Sequence, residues 1–168
     1  MSSHCERVPN ELWLDIFQLL PRSSIKHIYA TDRKFANASR ALLFRHLVFH
    51  PYLIRHASWD PGLALPASPL LQIELERLEF WSSDEIALLV RECTVAPRSR
   101  EETEAEPVPL EDADSPHILM TLFLDRLGKF TGLKKLFASK VKFTQVGLAT
   151  LCQLPLLTEV GIHRCDTV

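Results

Sequence analysis

Glycine is scarce, with 5 residues in 168 against 11 prolines. Loops that cradle phosphates need several closely spaced glycines, and neither G-x-G-x-x-G nor G-x-x-x-x-G-K-S/T occurs. Cysteine is sparse too. Cys5, Cys93, Cys152 and Cys165 stand at wide, irregular gaps with no C-x-x-C pair, so zinc ligation is poorly supported and reduced thiols are expected. No run approaches the roughly 18 apolar residues of a membrane helix. The N-terminus carries Glu6, Arg7, Glu11 and Asp15 and lacks the apolar core of a secretory signal. An excess of one charge is also missing. Lys+Arg total 19 and Asp+Glu 21, a net −2 that gives no general attraction to nucleic acid or anionic lipid. An intracellular protein, cytoplasmic or nuclear, is expected, with no nucleic-acid or membrane partner.

What is present is a chain 46% hydrophobic and 24% charged, enough apolar material for one compact domain or a small domain plus part of another. The prolines fall mostly between apolar runs, which predicts several short elements separated by stiff turns. After an N-terminal tail, residues 1–7, a run of three helices is predicted over 8–47. Pro9 suits a first helical turn and Glu11 the positive end of the dipole. Leu12, Ile16, Phe17, Leu19 and Leu20 recur at helical spacing up to Pro21. Ser23 or Ser24 is a candidate cap for a second helix with Ile25, Ile28 and Tyr29 on its stripe. Asp32, Arg33 and Lys34 form a polar corner before a third apolar face of Phe35, Ala38, Leu42 and Leu43.

Residues 48–70 read as a connecting segment, with a short strand over 47–53 broken at Pro51 and a loop around Pro61, Gly62, Pro66 and Pro69. From residue 71 the pattern alternates: Leu71, Ile73, Leu75, then Leu78 and Phe80, which predicts a strand. Ser82 and Glu85 have capping-box spacing, opening a helix with Ile86, Leu89, Val90 and Cys93 inward. Residues 94–116 hold seven acids and four prolines, which predicts a disordered acidic insertion that is most simply a solvated spacer. Ser115 and Pro116 then start a helix running to Leu127, with Gly128 as its terminator. Further strands are predicted at 133–138 and 157–162, with a helix between them at 147–151.

Three of these segments share one shape: apolar, two polar, apolar, any, apolar. They are Leu75 to Phe80, Leu133 to Ala138 and Leu157 to Ile162, and the last two start 24 residues apart. That period lies within the roughly 20–29 residues of leucine-rich repeats, in which neither strand nor helix buries its apolar face without a stacked neighbour. The predicted fold class is therefore α+β, with three N-terminal helices followed by a short α/β solenoid-like region over 71–168. The alternative is a small α/β domain of ordinary strand–helix units.

Residues 8–47 also carry a family resemblance. The run Val8-Pro9-Asn10-Glu11-Leu12-Trp13-Leu14-Asp15-Ile16-Phe17-Gln18-Leu19-Leu20 resembles the opening of an F-box: Leu-Pro, an acid, paired apolars, Ile-Phe and Leu. Lys34-Phe35 stands at its basic-aromatic pair, and Arg45-His46-Leu47 suits the close of its third helix. Val8 replaces the usual Leu, and Thr31-Asp32 stand where Val-Cys is common. Joined to leucine-rich repeats, the layout is similar to that of F-box proteins of the fungal type. The resemblance implies a non-enzymatic subunit of an SCF-type ubiquitin ligase that docks on a Skp-type adaptor, and through it on cullin, while the repeats hold an unidentified protein substrate. The implied docking residues are Val8, Pro9, Leu12, Ile16, Phe17, Leu20 and Ile25, with Tyr29 and Phe35. The competing class is an interaction scaffold with no role in ubiquitin transfer.

Other chemistry finds little support. His46, His50 and His56 lie close in sequence, but Pro51 interrupts a shared helix face and no H-E-x-x-H occurs. His163 and Cys165 would share a strand face, yet no orienting group or oxyanion site accompanies them. Cys165 is better read as a small core residue at a repeat turn. No cofactor, metal or catalytic residue is expected.

Overall fold

Two prolines and an aspartate set the helix starts at the front of the chain. Pro9 (φ −56°), Pro21 (φ −62°) and Asp32 precede α1 (Asn10–Gln18), α2 (Arg22–Thr31) and α3 (Arg33–Leu43). Proline's ring fixes an extended entry at no hydrogen-bond cost. Asp32 caps through its carboxylate, which accepts from the Lys34 amide at 2.7 Å. The predicted Ser23 or Ser24 cap is not used: α2 begins at Arg22 with no side-chain cap. The structure, a computed structural model, describes residues 9–54, 62–99 and 106–167. It divides into two compact units, Met1–Arg45 and His46–Val168, and is of mixed α+β class.

In the helical unit α3 packs on both α1 and α2. Trp13, Phe17 and Phe35 form an aromatic trio with ring centroids 5.0 to 5.9 Å apart. Each such pair adds about 0.5–1.5 kcal/mol beyond the area it buries. Ile25, Ala38 and Leu43 complete the buried set.

The second unit is built on a parallel sheet. β1 (His46–Phe49), β4 (Glu92–Val95), β7 (Lys135–Ser139) and β9 (Glu159–His163) lie side by side in chain order. Their register places Leu47, Cys93, Leu136 and Val160 in one inward row, and Phe49, Val95, Ala138 and Ile162 in the next. Parallel neighbours need crossovers. These carry α4 (Ser68–Trp81) and α5 (Asp84–Ala87), then α6 (Ile118–Arg126), then α7 (Gln145–Gln153), with α4 against α6 and α6 against α7. Phe49 stacks on Phe123 of α6 at 5.3 Å. A second sheet of very short strands holds β5 (Arg98–Ser99), β2 (Leu53–Ile54), β3 (Leu63–Leu65) and β6 (Val108–Pro109), in that order. Finally β8 (Lys142–Phe143) pairs with β10 (Asp166–Thr167).

Residues 24 apart make matching backbone contacts around β7 and β9. Lys134 and Lys135 donate to the Arg91 carbonyl, and Thr158 and Glu159 donate to the Lys134 carbonyl. Leu133 bonds Phe130 as Leu157 bonds Leu154. Lys140 and Arg164 both have positive φ, 52° and 51°.

Three expectations need correction. Residues 71–80 are not a strand but most of α4, whose buried face is Glu74, Leu78 and Trp81 at i, i+4, i+7. Pro69 belongs not to the expected loop but to the first turn of that helix. The strand at this point of the fold is β4, and Val90-Arg91-Glu92-Cys93-Thr94-Val95 carries the shared apolar pattern. Val90 and Cys93 therefore do not lie on a helix face. Second, Ser82 and Glu85 make no capping box: α5 follows Ser83, and the Ser82 hydroxyl donates to the Glu79 carbonyl. Third, 94–116 is not one unstructured insertion. Arg98–Ser99 pairs with Leu53–Ile54, and Val108–Pro109 pairs with Ala64–Leu65. Residues 100–105, including Glu101, Glu102 and Glu104, lie outside the described residues.

Arg91 fastens the turn before β7. Its guanidinium donates to the carbonyls of Leu88 and Gly132, both at 3.0 Å. A Cβ on Gly132 would overlap Arg91 Nη1 and lie 2.8 Å from the Leu88 oxygen. Gly132→Ala should therefore destabilise the chain by about 1–3 kcal/mol in urea unfolding. Gly128→Ala, with open space around it and no positive φ, should keep the midpoint or raise it slightly.

Tyr52 is fully buried, and its hydroxyl meets His117 Nδ1 at 3.1 Å. Burial pushes the Tyr52 pKa up to about 12. Burial, then the Lys142 charge, hold His117 below its ordinary 6.5. The unfolded chain thus binds a proton first, so this stability is full above pH 6.5 and lost as pH falls through the folded value. Urea midpoints between pH 7.5 and 5 should fall more steeply for the natural chain than for His117→Gln.

Candidate functional site

Two surfaces expose functional-looking side chains, one on each unit. On α1 and the two residues that follow it, two adjacent stripes are offset by one residue. Trp13, Phe17 and Leu20 turn toward the unit's own core; Leu12, Ile16 and Leu19 turn outward, 52%, 46% and 86% exposed. Both follow i, i+4, i+7, so one short helix is apolar on two faces while only one is covered by α3. The Trp13 indole N–H is buried without a hydrogen-bond partner, an arrangement that costs about 1–3 kcal/mol.

The implied docking residues separate accordingly. Leu12, Ile16, Pro9 and Tyr29 are exposed, and Leu20 and Phe35 half-buried. Phe17 and Ile25 are buried, so they serve the core of the helical unit rather than its surface. Val8 lies outside the described residues. Leu19, the most exposed of the set, was absent from the implied docking residues although its i+7 offset from Leu12 marks it.

The second surface is the outward face of the parallel sheet. Its first row is His46, Glu92, Lys135 and Glu159; its second is Val48, Thr94, Phe137 and Gly161. The first row alternates in sign from Glu92 onward, and Lys135 pairs with Glu159. Both are solvated, so that pair is worth under about 1 kcal/mol. His46 Nε2 and Thr94 Oγ1 are 2.9 Å apart. The Phe137 ring lies across the backbone of Gly161, where an added Cβ would come within 2.8 Å of it. A depression of about 270 Å³ is lined by His46, Glu92, Thr94, Lys135, Phe137 and Gly161 among others. Such a face can grip an extended polypeptide by alternate polar contacts around one aromatic anchor.

The metal and nucleophile candidates disperse. His46 bonds Thr94, His50 bonds the Ala96 carbonyl at 2.8 Å, and His56 lies outside the described residues. Among the described residues no group of three or more His, Cys, Asp or Glu is placed to hold a metal ion. The Cys165 thiol meets the backbone carbonyl of His163, not its imidazole, and it is half-exposed rather than a core residue. No helix among the described residues is long and apolar enough to cross a membrane.

Cys93 sits in the inward row of the sheet, fully desolvated, and burial pushes its thiol far above the usual range. Thiolate is the reactive form, so Cys93 should be inert in the folded chain. Mass-spectrometric mapping after brief iodoacetamide treatment should find Cys152 and Cys165 modified and Cys93 modified only in denaturant. Labelling of Cys93 at a comparable rate would contradict this packing. No family model, no curated protein and no solved structure matches the chain.

Proposed function

We propose that this chain is the substrate-recruiting F-box subunit of an SCF-type cullin–RING ubiquitin ligase. The helical unit docks on a Skp-type adaptor, and the sheet unit holds a protein target in the manner of leucine-rich repeats. One observation carries this reading: the outward stripe of Leu12, Ile16 and Leu19 on the helix whose sequence resembles the F-box opening. About 40 residues cannot bury every apolar side chain in three short helices, and a hydrophobic groove on a partner is the natural cover for a stripe at this spacing. The docking set under this proposal is Pro9, Leu12, Ile16, Leu19 and Tyr29, with Phe17 and Ile25 holding the helices that present it.

The sheet unit supports the second half of the proposal. β7 and β9 repeat one strand pattern 24 residues apart with α7 between them, and the outward rows offer mixed charge and an exposed ring rather than a closed pocket. Recruitment of a target needs a surface of this kind and no catalytic group, because ubiquitin transfer is performed elsewhere in the ligase.

Co-expression with a Skp-type adaptor should yield a 1:1 complex that brings down cullin. Ile16→Asp puts a charge in the stripe without disturbing Phe17, and should weaken adaptor binding by about a hundredfold in calorimetry, with the helical circular dichroism retained. Adaptor binding that survives Ile16→Asp would refute the docking surface. A chain that binds protein partners but never retains cullin is instead the scaffold without a role in ubiquitin transfer.

A further inference from the structure

Among the described residues β9 is the edge strand of the parallel sheet, with a neighbour, β7, on one side. The cost falls on the inward rows. Leu136 and Ala138 are 2% and 0% exposed, whereas Val160 and Ile162, their register partners, are 46% and 51% exposed. The strand sequence Glu-Val-Gly-Ile-His contains neither Lys nor Pro, the residues that usually guard an edge against pairing.

We propose that β9 pairs with β9 of a second copy of this chain, antiparallel about a two-fold axis through Gly161. The strand is self-complementary in that register. Val160 then faces Ile162 of the partner subunit, so the uncovered apolar side chains cover each other. Glu159 faces His163 of the partner subunit, and the symmetry makes that contact twice. A slip of one residue sets apolar side chains against the opposite sheet face. A slip of two sets Glu159 or His163 against Gly161 and loses the polar match. Head-to-tail growth from β9 onto β1 of another copy has less to gain, because Leu47 and Phe49 of β1 are already 1% and 0% exposed. This dimer is independent of the adaptor surface on the helical unit.

Sedimentation equilibrium of the full chain tests it. A monomer–dimer equilibrium is expected. Ile162→Glu should raise the dissociation constant by at least about tenfold. His163→Glu places two acids across the axis and should also weaken the dimer. Adding Glu159→His to that variant restores the acid–imidazole match and should return the constant to within about threefold of the natural chain. Glu159, Ile162 and His163 are exposed, so folding, checked by circular dichroism, should not change. A chain that stays monomeric, one that binds only a foreign protein at this edge, or an open-ended series of oligomers overturns the proposal. So does a dimer indifferent to Ile162→Glu, or one that the charge swap fails to restore.

Discussion

Strands of four or five residues do not hold a parallel sheet together by hydrogen bonds alone. Here the sheet depends on two inward rows, Leu47–Cys93–Leu136 and Phe49–Val95–Ala138, pressed against a helix layer. Every side chain in those six positions is buried, and each belongs to a strand whose neighbours are supplied only after a crossover. The helices are just as dependent. α6 buries Leu119, Met120, Phe123 and Leu124, with Phe123 on Phe49 of the sheet, in a nine-residue helix that would not persist by itself in water. Packing across the two layers therefore fixes strand register, and strand register fixes which residues face outward.

The outward surfaces follow from that inward constraint. Once Leu136 and Ala138 face in, Lys135 and Phe137 must face out, because strand side chains alternate. Gly161 admits the Phe137 ring across its backbone. The helical unit follows the same logic with a different period. Trp13 and Phe17 are held inward by Phe35, and Leu12, Ile16 and Leu19 are left on the far side. Neither surface needs a strained conformation. The helical stripe is apolar surplus that its own unit cannot cover, whereas the sheet face is a mixed polar surface around one exposed ring.

Much of this was legible from residue order. Pro9, Pro21 and Asp32 punctuate the three N-terminal helices, and the apolar spacing within each predicts its face. The strand at 135–139 and the strand at 159–163 were marked by their matching patterns. The segment 71–80 was not, because Leu71, Ile73 and Leu75 alternate while Leu71, Leu75 and Leu78 also fit a helix. Length decided it: a 14-residue element with Glu, Leu and Arg throughout favours the helix. The same ambiguity conceals β4, whose Val90 and Cys93 sit three apart and imitate a helix face. Burial inside the helical unit was likewise invisible. Ile16 and Phe17 are adjacent in sequence, and only the position of α3 decides that Phe17 goes inward and Ile16 outward. The very short strands at 53–54, 98–99 and 108–109 carry no periodic signal at two residues each.

The dependence of the sheet on its inward rows can be tested at two positions of equal rank. Leu136 and Val160 are register partners on β7 and β9, the first flanked by strands on both sides and the second, among the described residues, on one. In urea unfolding of dilute protein, Leu136→Ala should cost about 2–5 kcal/mol and Val160→Ala less than about 1 kcal/mol. Equal costs at the two positions, or a negligible cost at Leu136, would contradict the account.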